Sequence, residues 1–396
     1  MELTVISQNM QDKALRIHSV SQARRELLEG CSFRSLGDTL RKFSGSEDPK
    51  KQLVDGLLQQ HPDAKRDSLD RKVRNWLSGR TGSVDKEDAF SLCLILNLDL
   101  VRADEFLNAV TGEGIHWRSP NEIVWAYGIH NGYSYGQIQA LQKAAAEMQK
   151  QAVMQNKRST DNYTEAVSAK ILPLLDLPET DLLAGLKACL PELGSYHNTA
   201  FSLFTQFLGL LENGGREGDS EETEDNKTSP EEEKRLKPQK ISTQKILESY
   251  FYRTLIPVAK RNEKKSKDAF SDIQRSIRVN WPDEAVLSKM RNREMDVTRK
   301  VLILLFLATN GDETDYAEDE DFIEEVELTR DEMFENIYTR LNRMLKSCGF
   351  QLLDPRNPFD WLILCCISVE DICCIDHRMS HILSSIFPAV NETNEF

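Results

Sequence analysis

Residues 61–80 read HPDAKRDSLDRKVRNWLSGR, and they follow the amphipathic run KQLVDGLLQQ at 51–60. In the first run, Leu53, Leu57 and Leu58 share one helical face. His61-Pro62-Asp63 and the polar Lys65-Arg66-Asp67 form a turn, Ser68 is placed to cap a helix over Leu69–Ser78, and Gly79 stops it. Leu69, Val73, Trp76 and Leu77 are spaced by four, three and one, so they form one buried stripe. Two more short amphipathic helices follow, Asp85–Asn97 and Val101–Val110. Short helices with clear stops and no strand-period alternation define an all-α fold.

The polar side of the Leu69 helix carries Arg71, Arg74, Asn75 and Ser78, with Lys72 at its margin. Arginine pairs two-pronged with guanine edges, and asparagine does the same with adenine. Lys65, Arg66 and Arg80 flank the helix, where phosphate contacts fall. Six basic residues stand against three acidic ones (Asp63, Asp67, Asp70) between positions 61 and 80, in a chain whose net charge is −14. The same pattern fits a solvated helix face or a protein-binding face.

The run Ser68–Gly79, Ser-Leu-Asp-Arg-Lys-Val-Arg-Asn-Trp-Leu-Ser-Gly, resembles the third helix of lambda-repressor-like helix-turn-helix domains. Asp85–Leu107 resembles the fourth and fifth helices of that family, and the likeness spans roughly residues 35–110. It implies that the Leu69–Ser78 helix enters the major groove of double-stranded DNA. On that reading Arg71, Lys72, Arg74 and Asn75 face the groove, and Lys65, Arg66 and Arg80 hold the backbone. Where the family's second helix usually carries a Gln and an Ala-rich packing face, this chain has Lys51-Gln52-Leu53-Val54-Asp55-Gly56.

Outward from this segment the chain divides into two helical lobes. Residues 1–30 are a polar, helical or frayed arm; 31–113 hold the divergent helix-turn-helix; 114–212 extend the first lobe; and 241–390 make a C-terminal helical domain. In the extension, Asn121–His130 and Gly136–Gln155 are a helix pair broken at Gly132, and Phe201, Phe204, Leu208 and Leu211 mark a buried face over Thr199–Leu211. Residues 213–240 open on Gly214-Gly215 and continue through Glu217, Asp219, Glu221, Glu222, Glu224 and Asp225 without an apolar residue. Such a stretch cannot bury enough surface to offset chain entropy, so a disordered acidic linker is expected. The C-terminal domain is expected to hold helices at Ile241–Lys260, Asp268–Arg278, Asp283–Lys289, Asp296–Thr309, Thr329–Ser347, Pro358–Ser368 and Asp371–Phe387, with a further acidic stretch at Asp312–Glu327.

Composition narrows the classes. The 396 residues are 40% hydrophobic and 29% charged, enough for real cores. The eight cysteines lack the spacing of a disulfide framework, and Met1–Leu15 has no apolar signal-peptide core. A reducing cytoplasm is therefore expected. Val301–Ala308, the longest apolar run, is too short to span a bilayer. Cys373, His377 and His381 recur every four residues, but cysteine among Leu, Ile and Trp361 reads as a small hydrophobe, so no metal and no cofactor are expected. A second basic region spans residues 260–300, with twelve Lys or Arg against seven acids. No phosphate-binding glycine loop, nucleophile elbow or metalloprotease helix occurs, so no enzyme is expected. The resulting expectation is a cytosolic DNA-binding transcriptional regulator with a C-terminal sensing or assembly lobe. The alternative is a helical protein-interaction scaffold that does not bind DNA.

Overall fold

A computed structural model describes residues 5–78, 84–155, 164–193, 197–213, 241–257, 271–279, 281–310, 329–370, 372 and 375–387. Nineteen α-helices, a π-turn and three short 3-10 turns account for the regular structure of these residues, and no strand occurs among them. The chain is all-α, as its periodicity implies. None of the described helices is long and apolar enough to cross a membrane. The expected linker at 214–240 and the acidic stretch at 312–327 lie outside the described residues.

The chain forms two compact units whose limits differ from a simple N-terminal and C-terminal split. A middle unit comprises Ser32–Thr199 with Asn342–Asn357, and a terminal unit comprises Met1–Cys31, Ala200–Leu341 and Pro358–Phe396. Residues 1–30, expected as a helical or frayed arm, group with the C-terminal helices. There α1 (Val5–Leu15), α2 (Val20–Arg25) and the turn between them bury Met10, Ala14, Ile17 and Ala23.

In the middle unit, polar caps set the helix starts. Ser35 accepts from the Asp38 amide (3.0 Å) to begin α3 (Leu36–Ser44), and Asp48 accepts from Lys51 N–H (3.0 Å) to begin α4 (Pro49–Gln60). Asp85 and Asp99 do the same for α6 (Lys86–Ile95) and α7 (Leu100–Thr111). Between them lies α5 (Arg66–Leu77). It begins three residues earlier than the serine cap suggests, because the turn closes at once: Ala64 N–H bonds the His61 carbonyl (3.0 Å), and Ser68 N–H already bonds the Lys65 carbonyl (2.9 Å). Ser68 therefore sits inside the first turn rather than capping it. Further on run α8 (Pro120–His130), α9 (Tyr135–Gln155), α10 (Thr164–Ile171) and α11 (Glu179–Ala188). Gly132, with φ +66°, breaks α8 from α9 as expected.

One continuous apolar core runs through this unit from Leu36 to Leu193. Phe90 stacks on Trp125 with ring centroids 5.3 Å apart, and Phe43 meets Phe106 edge to face at 5.2 Å. Two glycines let helices close on one another. A Cβ at Gly37 would lie 2.3 Å from the Leu77 carbonyl oxygen, and one at Gly56 would lie 2.5 Å from Ile95. Gly56, which departs from the resembled family's pattern, is thus what seats α4 against α6.

The terminal unit adds α12 (Asn198–Glu212), α13 (Thr243–Ser249), α14 (Asp272–Val279), α15 (Glu284–Arg291), α16 (Arg299–Asn310), α17 (Arg330–Ser347), α18 (Pro358–Ser368) and α19 (Ile375–Ile386); α12 begins and α17 ends in the middle unit. Phe359–Ser368 of α18 are all buried. The Trp361 indole N–H donates to the Met10 carbonyl (3.1 Å), tying α1 to this central helix. Arg330 donates to the carbonyls of Leu15 (2.6 Å), Ile17 (2.7 Å) and Ser368 (3.0 Å), satisfying groups left open past the ends of α1 and α18.

One expected helix is shorter than its apolar pattern. The Ile241–Lys260 helix ends at Ser249, because Tyr252 adopts a left-handed backbone (φ +49°) and the Trp281 indole N–H takes the Phe251 carbonyl at 2.7 Å. Of the expected Asp371–Phe387 helix, Ile375–Ile386 is described as helix, and residues 371, 373 and 374 lie outside the described residues. The Arg378 guanidinium donates to the carbonyls of Ile372 (2.6 Å) and Ile367 (3.1 Å).

Candidate nucleic-acid interface

Helix α5 packs against α3 and α4. Val73 and Trp76 are buried, and Leu69 and Leu77 are half-buried against the same core, so the four-residue stripe faces inward as its spacing implies. At about 100° per residue, Arg71 then points directly away from the core, flanked by Asp67, Arg74 and Ser78. Arg71, Arg74 and Ser78 are exposed, and Asn75 is half-buried at the edge of this face. The Arg41 guanidinium donates to the Leu77 carbonyl (2.8 Å), closing the C-terminal end of α5. Arg41 carried no signal in the sequence, because the contact joins residues 36 apart.

The charges do not form an unopposed basic stripe. Arg74 pairs with Asp70 (2.5 Å), one turn back on the same helix, and Lys50 from α4 reaches the same carboxylate (2.6 Å). Hydrogen bonds from Lys50 and Arg74 hold the Asp70 carboxyl below its usual range. Arg66 pairs with Asp55 (2.7 Å). Among the described residues, Lys65 and Arg71 are exposed and have no ion-pair partner. Arg80 lies outside the described residues.

Lys72 does not join the outward face. Its ammonium lies 5.3 Å from the Trp76 ring centroid and pairs with Asp88 at the start of α6. Asp88 is in turn hydrogen-bonded to Asp85, the residue that caps α6. Burial and the neighbouring Asp85 push the Asp88 carboxyl up to about 6, against the pull of Lys72. Burial works against ionisation of Asp85 as well, but hydrogen bonds from Asp88 outweigh it and keep that carboxyl low. Lys72 thus braces α5 to α6, a role that helical spacing alone does not separate from groove contact.

The other sequence candidates do not assemble here. His377 and His381 are exposed on α19, and Cys373 lies outside the described residues, as do residues 258–270 of the second basic region. Cys93, Cys348, Cys365 and Cys366 are buried and not in disulfides, and burial raises the Cys93, Cys365 and Cys366 thiols far above the ordinary range. Comparison with family models, with curated proteins and with solved structures finds no match for this chain.

Proposed function

We propose that the protein is a cytosolic regulator whose middle unit binds double-stranded DNA through the exposed face of α5, with the terminal unit serving as its sensing or assembly lobe. The observation that supports this reading is the seating of α5. It is anchored by Val73 and Trp76, follows α4 after a short turn, and offers Arg71, Arg74 and Asn75 outward together with the flanking Lys65 and Arg66. The ion pairs on that face do not oppose it strongly. Exposed pairs are each worth about 0–1 kcal/mol, so Arg74 and Arg66 can exchange a carboxylate for a phosphate or a base edge. Lys72 is a brace rather than a contact on this reading.

The test is a titration of labelled genomic duplex fragments at two salt concentrations. Binding through several phosphates falls steeply as salt rises. A second reading, a protein-binding scaffold, draws on the alternation of Asp55, Asp67 and Asp70 with Arg66, Arg71 and Arg74, which suits a partner of mixed charge. Complete absence of duplex binding at low salt, by a chain with its normal circular dichroism, would transfer the proposal to that reading.

A further inference from the structure

Ser68 lies on the first turn of α5, one turn ahead of Arg71. Its side chain is exposed, and its hydroxyl makes no hydrogen bond among the described residues. The hydroxyl therefore supports no contact of the fold and is open to chemistry.

Helical spacing surrounds this hydroxyl with cations. Residues three or four apart share a face, at about 5–6 Å between Cβ atoms. At those spacings from Ser68 stand Ala64, Lys65, Arg71 and Lys72. Lys72 is held by Asp88, but Lys65 and Arg71 are exposed and have no ion-pair partner among the described residues. Asp67 and Asp70, one and two positions away, project to other sides of the helix, and Asp70 is already engaged by Lys50 and Arg74. An anion fixed on Ser68 meets two open cations and no carboxylate on its own face.

The approach to the serine suits covalent delivery of that anion. Pro62, Asp63 and residues 65–68 are exposed, so the hydroxyl ends an accessible turn. Lys65 and Arg66 stand three and two residues ahead of it, and Leu69 directly follows. Protein kinases select substrates by charge pattern, and a basic pair ahead of the acceptor suits a kinase with an acidic substrate groove.

We propose that Ser68 is a phosphorylation site for a serine/threonine kinase that requires basic residues ahead of the acceptor, and that its phosphate draws Arg71 off the outward face of α5. The γ-phosphoryl group of ATP passes to the Ser68 Oγ, the bond to the leaving ADP breaks, and the hydroxyl proton is released. The product carries about two negative charges at neutral pH and forms a charge-assisted pair with the Arg71 guanidinium. The regulatory consequence, weaker binding to duplex DNA, rests on the reading of α5 as the DNA-binding helix; the site and its pairing with Arg71 do not.

The test incubates the full chain with ATP and a purified kinase of that specificity. Peptide mass mapping is expected to place one phosphate on Ser68, and none there in Ser68→Ala, whose circular dichroism stays that of the unaltered chain. The phosphate's second ionisation, at about 6 in an isolated phosphoserine, is expected to fall in phosphorus NMR of the modified chain and to move back up in Arg71→Ala. Duplex affinity is expected to drop by about tenfold or more on modification, and the same treatment of Ser68→Ala leaves it unchanged. Ser68 left unmodified in the folded chain, a phosphate titration indifferent to Arg71, or an unchanged affinity in a chain that binds duplex beforehand would each overturn the proposal. A chain that binds no duplex before modification refutes the DNA reading instead, and the mass and NMR results then uphold or overturn the phosphorylation site on their own.

Discussion

Asp360 and Arg299 form a fork-to-fork pair inside the terminal unit, with both N–H···O distances at 2.8 Å and side chains only 2% and 9% exposed. At that burial neither ion recovers hydration when its partner is lost, so the pair is far more costly to break than to replace. Asp360→Asn keeps the shape but turns one acceptor into a donor facing the guanidinium. Lys300, beside the pair and 5.3 Å from the Phe359 ring centroid, adds a further positive group; burial brings its ammonium down to about 8 despite the pull of Asp360. Removing one partner of such a pair costs about 3–5 kcal/mol, and both Asp360→Asn and Arg299→Met are expected to lose that much. Replacing both, as Arg299→Met with Asp360→Leu, removes the stranded charge and is expected to fall well short of the sum of the single losses. A chain with two units need not unfold in one step, so the readout is hydrogen exchange of the α16 and α18 backbone amides under graded urea. Single variants that lose less than about 1 kcal/mol, or a double variant whose loss equals the sum, would refute the argument that desolvation dominates here.

The remaining expectations concern the middle unit. Trp76→Ala should lower its stability by about 3–5 kcal/mol in denaturant, whereas Arg71→Ala, which touches no packed group, should stay within about 0.5 kcal/mol. If DNA is the ligand, Arg71→Ala, Arg74→Ala or Asn75→Ala should each cost about 1–3 kcal/mol for a preferred duplex, while Lys65→Ala should weaken all duplexes and flatten the salt slope; fluorescence anisotropy of labelled fragments separates these outcomes. The Asp88 carboxyl is raised from 3.8 to about 6 in the folded chain, so the native state holds that proton more tightly than the unfolded chain does. Its contribution therefore favours folding increasingly as pH falls from above 6 towards 4, and that contribution is lost as pH rises through 6. Urea midpoints between pH 4 and pH 8 should show this trend as a difference between the unaltered protein and Asp88→Asn, with the variant flatter.

Local chemistry makes much of this molecule legible in its sequence alone. The stripe of Leu69, Val73, Trp76 and Leu77 defines the inward face of α5, because helical periodicity requires no knowledge of the partner. Asn357-Pro358 marks the start of α18, and Gly132 and Gly349 mark breaks, through backbone preferences confined to a few residues. What the sequence hides depends on groups far apart in the chain. The Tyr252 bend needs Trp281 to take the Phe251 carbonyl, and the role of Lys72 needs Asp88 on the next helix. The stack of His116 on His197 brings together residues with no shared motif. The N-terminal helices join the C-terminal ones because Trp361 and Arg330 take the carbonyls of Met10, Leu15 and Ile17. Periodicity tells which side of a helix is buried. Only the tertiary structure decides what that side is buried against, and hence whether a charge such as that of Lys72 is neutralised inside the protein or presented to a partner.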